Sequence, residues 1–244
     1  EPVGVVAAII PWNSQLFLSA VKLGPALAAG CTVVIKASEE GPAPLLAFAR
    51  LVHEAGFPAG VVNIITGFGT SCGAVLTSHP LVNHIAFTGG PETARHIVRN
   101  SAHNLAKTSL ELGGKSPFIV FEDANIESAL NAQVAAIFAA SGQSCVAGSR
   151  LLVQESIKDQ FVARLVERSR SIKIGPPEEM ATEFGPLCTK TQLEHIEKVV
   201  EKSVSQGAVI LLGGKRLDGD GFYYPPTILD CTQACDADCI HQEL

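Results

Sequence analysis

Charge is scarce in this sequence. Charged side chains make up 17% of its 244 residues, with 18 Lys and Arg against 24 Asp and Glu, a net charge of −6. A chain with that balance has no electrostatic footprint for DNA, RNA or an anionic lipid surface. A clean membrane span is also lacking. Two long uncharged runs cover residues 2–21 and 128–149, but Pro11, Asn13, Ser14 and Gln15 interrupt the first, and Ser, Asn, Gln and Gly are scattered through the second. No basic segment precedes a short apolar stretch, so a signal peptide is not expected. Opening on Glu1 rather than Met leaves room for an upstream part. The seven cysteines are an odd count and a poor disulfide framework, which points to reduced thiols and a cytoplasmic setting. What the chain does have is apolar mass. At 47% hydrophobic residues it is too apolar for disorder and ample for a sizeable core.

Two halves follow from the apolar pattern. Over residues 1–112, short β-branched runs at 3–10, 32–36, 61–66 and 85–88 predict buried strands. Between them lie helical patterns at 19–29, at 42–55, up to Thr77 after a Gly-rich turn, and at 91–100, with Gly30 and Gly56 as terminators. Strands alternating with helices imply βαβ units and a parallel sheet covered on both faces. Over residues 113–244 the rhythm changes. Strands are expected at 118–121, 151–154, 209–212 and 222–229, and helices at 125–141, 156–172 and 189–206, with Asn125 capping the first. The expected fold is α/β: a Rossmann-like parallel-sheet cofactor domain at 1–112, then a second α/β catalytic domain at 113–244.

Several residues could carry chemistry. The loop Gly67-Phe-Gly-Thr-Ser-Cys-Gly73 follows a strand and opens a helix, but its spacing departs by one residue from the dinucleotide fingerprint. Phe87-Thr-Gly-Gly90 has the same context, and its free backbone N–H groups could meet a pyrophosphate. In both, a plain strand-to-helix turn explains the glycines equally well. Cys145, in Gly142-Gln-Ser-Cys145, is a candidate nucleophile or an inert buried thiol. Glu111 is either a solvated strand end or a base aimed into a cleft. Asn13 ends the first strand, where its amide could hold an oxyanion or close an Asx-turn.

Taken in order, Glu1-Pro-Val-Gly-Val-Val6, Pro11-Trp-Asn13, Val34-Ile-Lys36-Ala-Ser-Glu39, Phe87-Thr-Gly89, Glu111-Leu-Gly-Gly-Lys115-Ser-Pro, Gly142-Gln-Ser-Cys145 and Gln242-Glu243-Leu244 resemble the aldehyde dehydrogenase superfamily across essentially the whole chain. The nearest type is the NAD-dependent, hydrolytic, broad-specificity group. Members are about twice this length, so the resemblance implies a central fragment of that fold, incomplete at both ends, and inactive by itself.

The resemblance assigns roles residue by residue. Cys145 matches the thiol that forms a thiohemiacetal and then a thioester. Asn13, with the Cys145 backbone N–H, matches the oxyanion hole, and Glu111 the base that activates water. Lys36 and Glu39 match the pair on the adenosine ribose, where a Glu favours NAD over NADP. Glu243 matches the carboxylate on the nicotinamide ribose. Trp12, Gly69, Phe87, Thr88, Gly89, Gly90 and Leu112 complete the expected cofactor contacts. A Glu at 111 argues for hydrolysis, since relatives that pass the acyl group to coenzyme A lack it. The partner implied is a small aldehyde, with a homodimer or homotetramer for the full-length protein. Phe17, Phe138, Gln143 and Ser144 are local candidates for substrate contact.

There are departures from the family pattern. Gly90 and Ala94 stand where Ser and Gly are usual, and the chain stops before an expected Phe-Gly-Pro. Cys231, Cys235 and Cys239 recur at four-residue intervals but lack a C-x-x-C pair, so no metal is expected. The alternatives are a catalytically silent relative keeping the fold and an esterase activity needing thiol and base but no cofactor.

Overall fold

A computed structural model describes residues 1–244 and divides the chain into two compact units, Glu1–Gly113 and Gly114–Leu244. The first unit runs β1 (Val5–Ile9), α1 (Gln15–Ala28), β2 (Thr32–Lys36), α2 (Ala43–Glu54) and β3 (Val62–Ile65). A single π-helical turn at Gly69–Gly73 leads into α3 (Ala74–Ser78), and β4 (Val82–Gly89), α4 (Pro91–Ser101) and β5 (Lys107–Leu112) complete it. The five strands form one parallel sheet in the order β3-β2-β1-β4-β5.

The continuous apolar runs have a direct cause: β1 is buried on both faces. Val6, Ala8 and Ile10 pack with Val33 and Ile35 against Leu23 of α1 and Leu45 of α2. Ala7 and Ile9 face the other way, with Ile85 and Phe87, onto Ala94 and Ile97 of α4. A strand covered on both sides has no polar face to alternate with. α1 stops at Gly30, whose φ of +82° suits glycine. The Gly30 amide donates to the Leu27 carbonyl, and the Cys31 amide to that of Ala26.

Two elements of this unit exceed their sequence signal. α1 starts at Gln15 rather than 19, because Ser14 turns the chain at φ 56° without a side-chain cap, leaving no capping signature to read. β4 begins at Val82 rather than 85. Its polar Asn83 belongs to the strand because Asn83 Oδ1 accepts the Val5 amide at 2.9 Å, where the β1–β4 register shifts.

The second unit holds β6 (Pro117–Val120), α5 (Ile126–Phe138), β7 (Arg150–Val153), α6 (Lys158–Arg170), α7 (Lys190–Ser205), β8 (Val209–Leu212), β9 (Ile228–Asp230) and α8 (Asp238–His241). β6 and β7 pair in parallel, and β8 and β9 pair antiparallel. Val120, Leu130, Phe161 and Leu165 form the core of this α/β layer. Asn125 Oδ1 accepts the Ser128 amide at the start of α5, and Thr189 Oγ1 accepts the Gln192 amide at the start of α7.

Two expectations need correction here. The strand expected over 222–229 shrinks to Ile228–Asp230, because Pro225 and Pro226 offer no amide to a ladder. The helix expected to reach 141 ends at Phe138, because Ala140 and Ser141 take left-handed φ values of 51° and 55°. α8 carried no periodic signal, being four residues long.

Phe161 is fully buried and central to the second unit. Phe161→Ala should cost about 3–5 kcal/mol in a denaturant melt, while Leu46→Ala on the half-exposed face of α2 should stay within about 0.5 kcal/mol. Equal effects at the two positions would contradict the assigned core.

Candidate active site

The strand order reverses direction at β1. The chain leaves β1 toward β2 and β3, then returns to place β4 and β5 on the other side. In open parallel sheets the crevice outside the carboxyl ends at such a reversal is the place for a ligand. Trp12 and Asn13 lie half-buried on the bend that follows β1. Phe87, Thr88 and Gly89 are the last residues of β4, and Gly90 precedes α4. Glu111 and Leu112 end β5, in register with Thr88 and Gly89. Lys36 ends β2.

Three of the expected cofactor residues are joined by hydrogen bonds. Lys36 is 4% exposed, and a buried ammonium needs a partner. Its Nζ donates to Glu39 Oε2 at 2.6 Å, and the Gly69 amide donates to Glu39 Oε1 at 3.3 Å. Burial alone would raise the Glu39 carboxyl. The bonds from Lys36, its own backbone and Gly69, together with the Lys36 charge, outweigh that and hold it below the ordinary carboxylate range. An ionised Glu is thereby fixed where β2 and β3 deliver their loops.

Thr88 is different. Its hydroxyl oxygen is buried and has no hydrogen-bond partner. Such an atom costs free energy unless something else satisfies it. Next to it Gly89 has φ +159°, and a Cβ there would come within 2.5 Å of the Phe87 ring. α4 then begins at Pro91, with Gly90 at its N-cap and no side chain filling the helix end. An orphaned hydroxyl, a tight glycine and an open helix N-terminus together fit a dinucleotide with its pyrophosphate at that end.

Glu111 is exposed. Lys22 on α1 lies within its electrostatic reach; burial lowers the Lys22 pKa, and the Glu111 charge opposes that. His84, lowered by burial and by the charges of Lys107 and Lys22, sits 3.1 Å from Ser109 Oγ. Lys22 and His84 were not singled out from sequence. A lone Lys within an apolar helical run was the available signal for Lys22.

In the second unit Cys145 is a free, half-buried thiol on the loop after α5. That loop is held at two points by a distant segment. Ser141 Oγ donates to the Gly185 carbonyl and accepts the Gly185 amide, both at 3.1 Å, and Gln143 Oε1 accepts the Cys188 amide at 2.9 Å. These anchors span 44 and 45 residues, so local sequence does not announce them. Of the candidate substrate contacts, Gln143 is thus an anchor. Phe138 is buried, with its ring 6.1 Å from that of Phe184 in an edge-on contact. Ser144 is half-buried, and Phe17 is exposed on α1. Glu243 is exposed beyond α8, and its carbonyl lies 3.2 Å from His195 Nε2.

The model of the aldehyde dehydrogenase family matches residues 1–244. The chain belongs to the aldehyde dehydrogenase family. It is 74% identical over its full length to (Z)-2-((N-methylformamido)methylene)-5-hydroxybutyrolactone dehydrogenase of Acinetobacter baylyi, covering 50% of that protein. Among solved structures it matches PnpE in complex with nicotinamide adenine dinucleotide at 46% identity and TM-score 0.91, covering 94% of this chain and 48% of that one. Betaine aldehyde dehydrogenase of Staphylococcus aureus in complex with NAD+ matches at 40% identity and TM-score 0.93, covering 100% and 49%. The chain therefore spans about half the length of the relatives it matches. The α/β fold with its parallel sheet is that of these aldehyde dehydrogenases.

The orphaned Thr88 hydroxyl makes a direct prediction for this family member. Thr88→Val keeps the side-chain shape and removes an unsatisfied buried group, so unfolding stability should be unchanged or rise, by up to about 1–3 kcal/mol. A loss of more than about 1 kcal/mol in a denaturant melt would mean that the hydroxyl is satisfied in the free protein.

Proposed function

We propose that this chain belongs to an enzyme that oxidises an aldehyde to the carboxylic acid with NAD as electron acceptor. The observation that carries the reading is that Cys145, Glu111 and Asn13 are all present in a chain whose whole length matches the family. The unit Glu1–Gly113 supplies the cofactor contacts, with Glu39 and Lys36 toward the adenosine ribose, Phe87, Thr88, Gly89 and Gly90 at the open end of α4, and Trp12, Gly69 and Leu112 beside them. The unit Gly114–Leu244 supplies the thiol and Glu243. When bound, NAD supplies a two-electron acceptor. An ionised Glu39 accepts hydrogen bonds from ribose hydroxyls and repels a 2′-phosphate, which favours NAD over NADP.

The residues then act in sequence. The Cys145 thiolate adds to the aldehyde carbon and forms a thiohemiacetal. The Asn13 amide and the Cys145 backbone N–H donate to the oxygen that takes up the charge. Once the carbon is oxidised, a thioester remains on Cys145. Glu111 takes a proton from water, the water attacks the thioester carbon, and the thiolate leaves as the acid is released. Gly90 has no hydroxyl to offer a phosphate oxygen, so its backbone N–H is the donor left there.

The Acinetobacter baylyi relative is named for a 5-hydroxybutyrolactone. Such a ring is the closed form of a four-carbon aldehyde acid, which makes that substrate class the one to try first. The odd number of cysteines supports a reducing, cytoplasmic setting, and no helix is long and apolar enough to cross a membrane. A homodimer or homotetramer is the assembly proposed for the complete protein.

The test is NADH formation by the complete protein with a panel of aldehydes. Cys145→Ala should be silent. Glu111→Gln should still give a rapid first turnover, followed by a steady state slower by about 10²–10⁴-fold, because only hydrolysis of the thioester needs the base. NADH formation by Cys145→Ala would overturn the thiol mechanism. Binding of NAD without NADH from any variant would bring forward the silent relative.

A further inference from the structure

The three regularly spaced cysteines near the end of the chain do not stay together in space. Cys235 is exposed and points away, its thiol against the Thr232 carbonyl at 3.6 Å. Cys231 and Cys239 meet, with their sulfurs 3.5 Å apart. They lie in an apolar cluster with Val199, Ala208, Ala234 and Ala237. Cys239 is held on α8, where its amide donates to Ser203 Oγ at 2.9 Å. Lys115, from the stretch before β6, has both sulfurs and Glu243 within electrostatic reach. Burial disfavours its charge, and Cys239, then Cys231 and Glu243, favour it. The pair thus combines two thiols in van der Waals contact with a lysine whose charge favours negative sulfur.

We propose that Cys231 and Cys239 are a reversible oxidation site, closed to a disulfide by peroxide, and that closure displaces α8 and weakens cofactor binding at Glu243. Burial, then the hydrogen bond with Cys239, pushes the Cys231 thiol up to about 12. One thiol of the pair gives up its proton as its sulfur takes one oxygen from hydrogen peroxide, giving a sulfenic acid and water. The remaining thiol attacks that sulfur, and its proton leaves with the hydroxyl as water. Two thiols and one peroxide give one disulfide and two waters. The sulfurs must close from 3.5 Å to about 2.05 Å. Cys239 lies in α8, four positions before Glu243, whose carbonyl is held by His195 of α7. Drawing α8 toward the end of β9 therefore works against the position of Glu243. The effect on the cofactor rests on the role proposed for Glu243; the disulfide itself does not.

The experiment uses the complete protein carrying Cys145→Ala, so that the proposed nucleophile cannot be the thiol oxidised. After peroxide treatment, peptide mass spectrometry should find the Cys231 and Cys239 peptides joined, with the loss of two hydrogens. NAD affinity should fall about fivefold and recover with dithiothreitol. Adding Cys231→Ser or Cys239→Ser should abolish both changes. Oxidation of Cys235 with Cys231 and Cys239 still reduced would overturn the proposal, as would a crosslink that leaves NAD affinity unchanged. If the reduced protein binds no NAD at all, the cofactor role proposed for Glu243 falls, while the crosslink is judged by mass alone.

Discussion

Five strands running the same way must all deliver their carboxyl ends to one edge, and the chemistry read from the first unit depends on that constraint. β1 sits in the middle of the sheet with neighbours reached from opposite directions, the kind of reversal at which open parallel sheets take their ligands. Lys36, Thr88 and Glu111 are each at or next to the end of a strand, and Asn13 follows the end of another. None of them needs a special device to face the same edge. The parallel register places them there, and the apolar interior on both faces keeps that register from slipping.

The same edge is where the apolar rule is broken. Within the sheet the buried residues are Val, Ile, Ala and Phe, but at its carboxyl end Lys36 and Thr88 are buried as well. The two are handled differently. Lys36 is neutralised by Glu39, and that carboxylate in turn holds the Gly69 amide, so a loop after β3 is tied to the strand beside it. Thr88 is left without a partner. One is a finished network that stabilises an ionised acid, and the other leaves a buried hydroxyl open. In the second unit, the loop carrying Cys145 passes through left-handed residues, which are unfavourable for Ala and Ser, and Ser141 and Gln143 fasten it to the 185–188 segment.

Much of this was legible in the sequence, and the reasons differ by element. β2 lies where a β-branched run placed it, because burial on a sheet leaves a local apolar signature. The motifs at Cys145, Glu111 and Asn13 could be recognised because they are short and occur in a fixed order. What escaped is held by long-range contacts or by backbone chemistry that apolar counting ignores. The 222–229 run has a strand's apolar character, but Pro225 and Pro226 lack the donors a ladder needs. The Ser141–Gly185 anchor, the Glu39–Gly69 bond and the approach of Cys231 to Cys239 bring together residues whose spacing has no periodic meaning. The exposure of Cys235, between two cysteines that meet, is likewise a product of the turns before α8 and not of the four-residue interval.

The central claim is that an ionised Glu39, fixed by Lys36 and Gly69, reads the ribose of NAD at the carboxyl edge of the sheet. The most direct measurement is calorimetric binding of NAD and of NADP to the complete protein and to Glu39→Gln. The account predicts that NAD binds at least about tenfold more tightly than NADP, and that Glu39→Gln narrows the gap by weakening NAD and strengthening NADP. Equal affinity of the unaltered protein for both, or a gap untouched by the substitution, would contradict it.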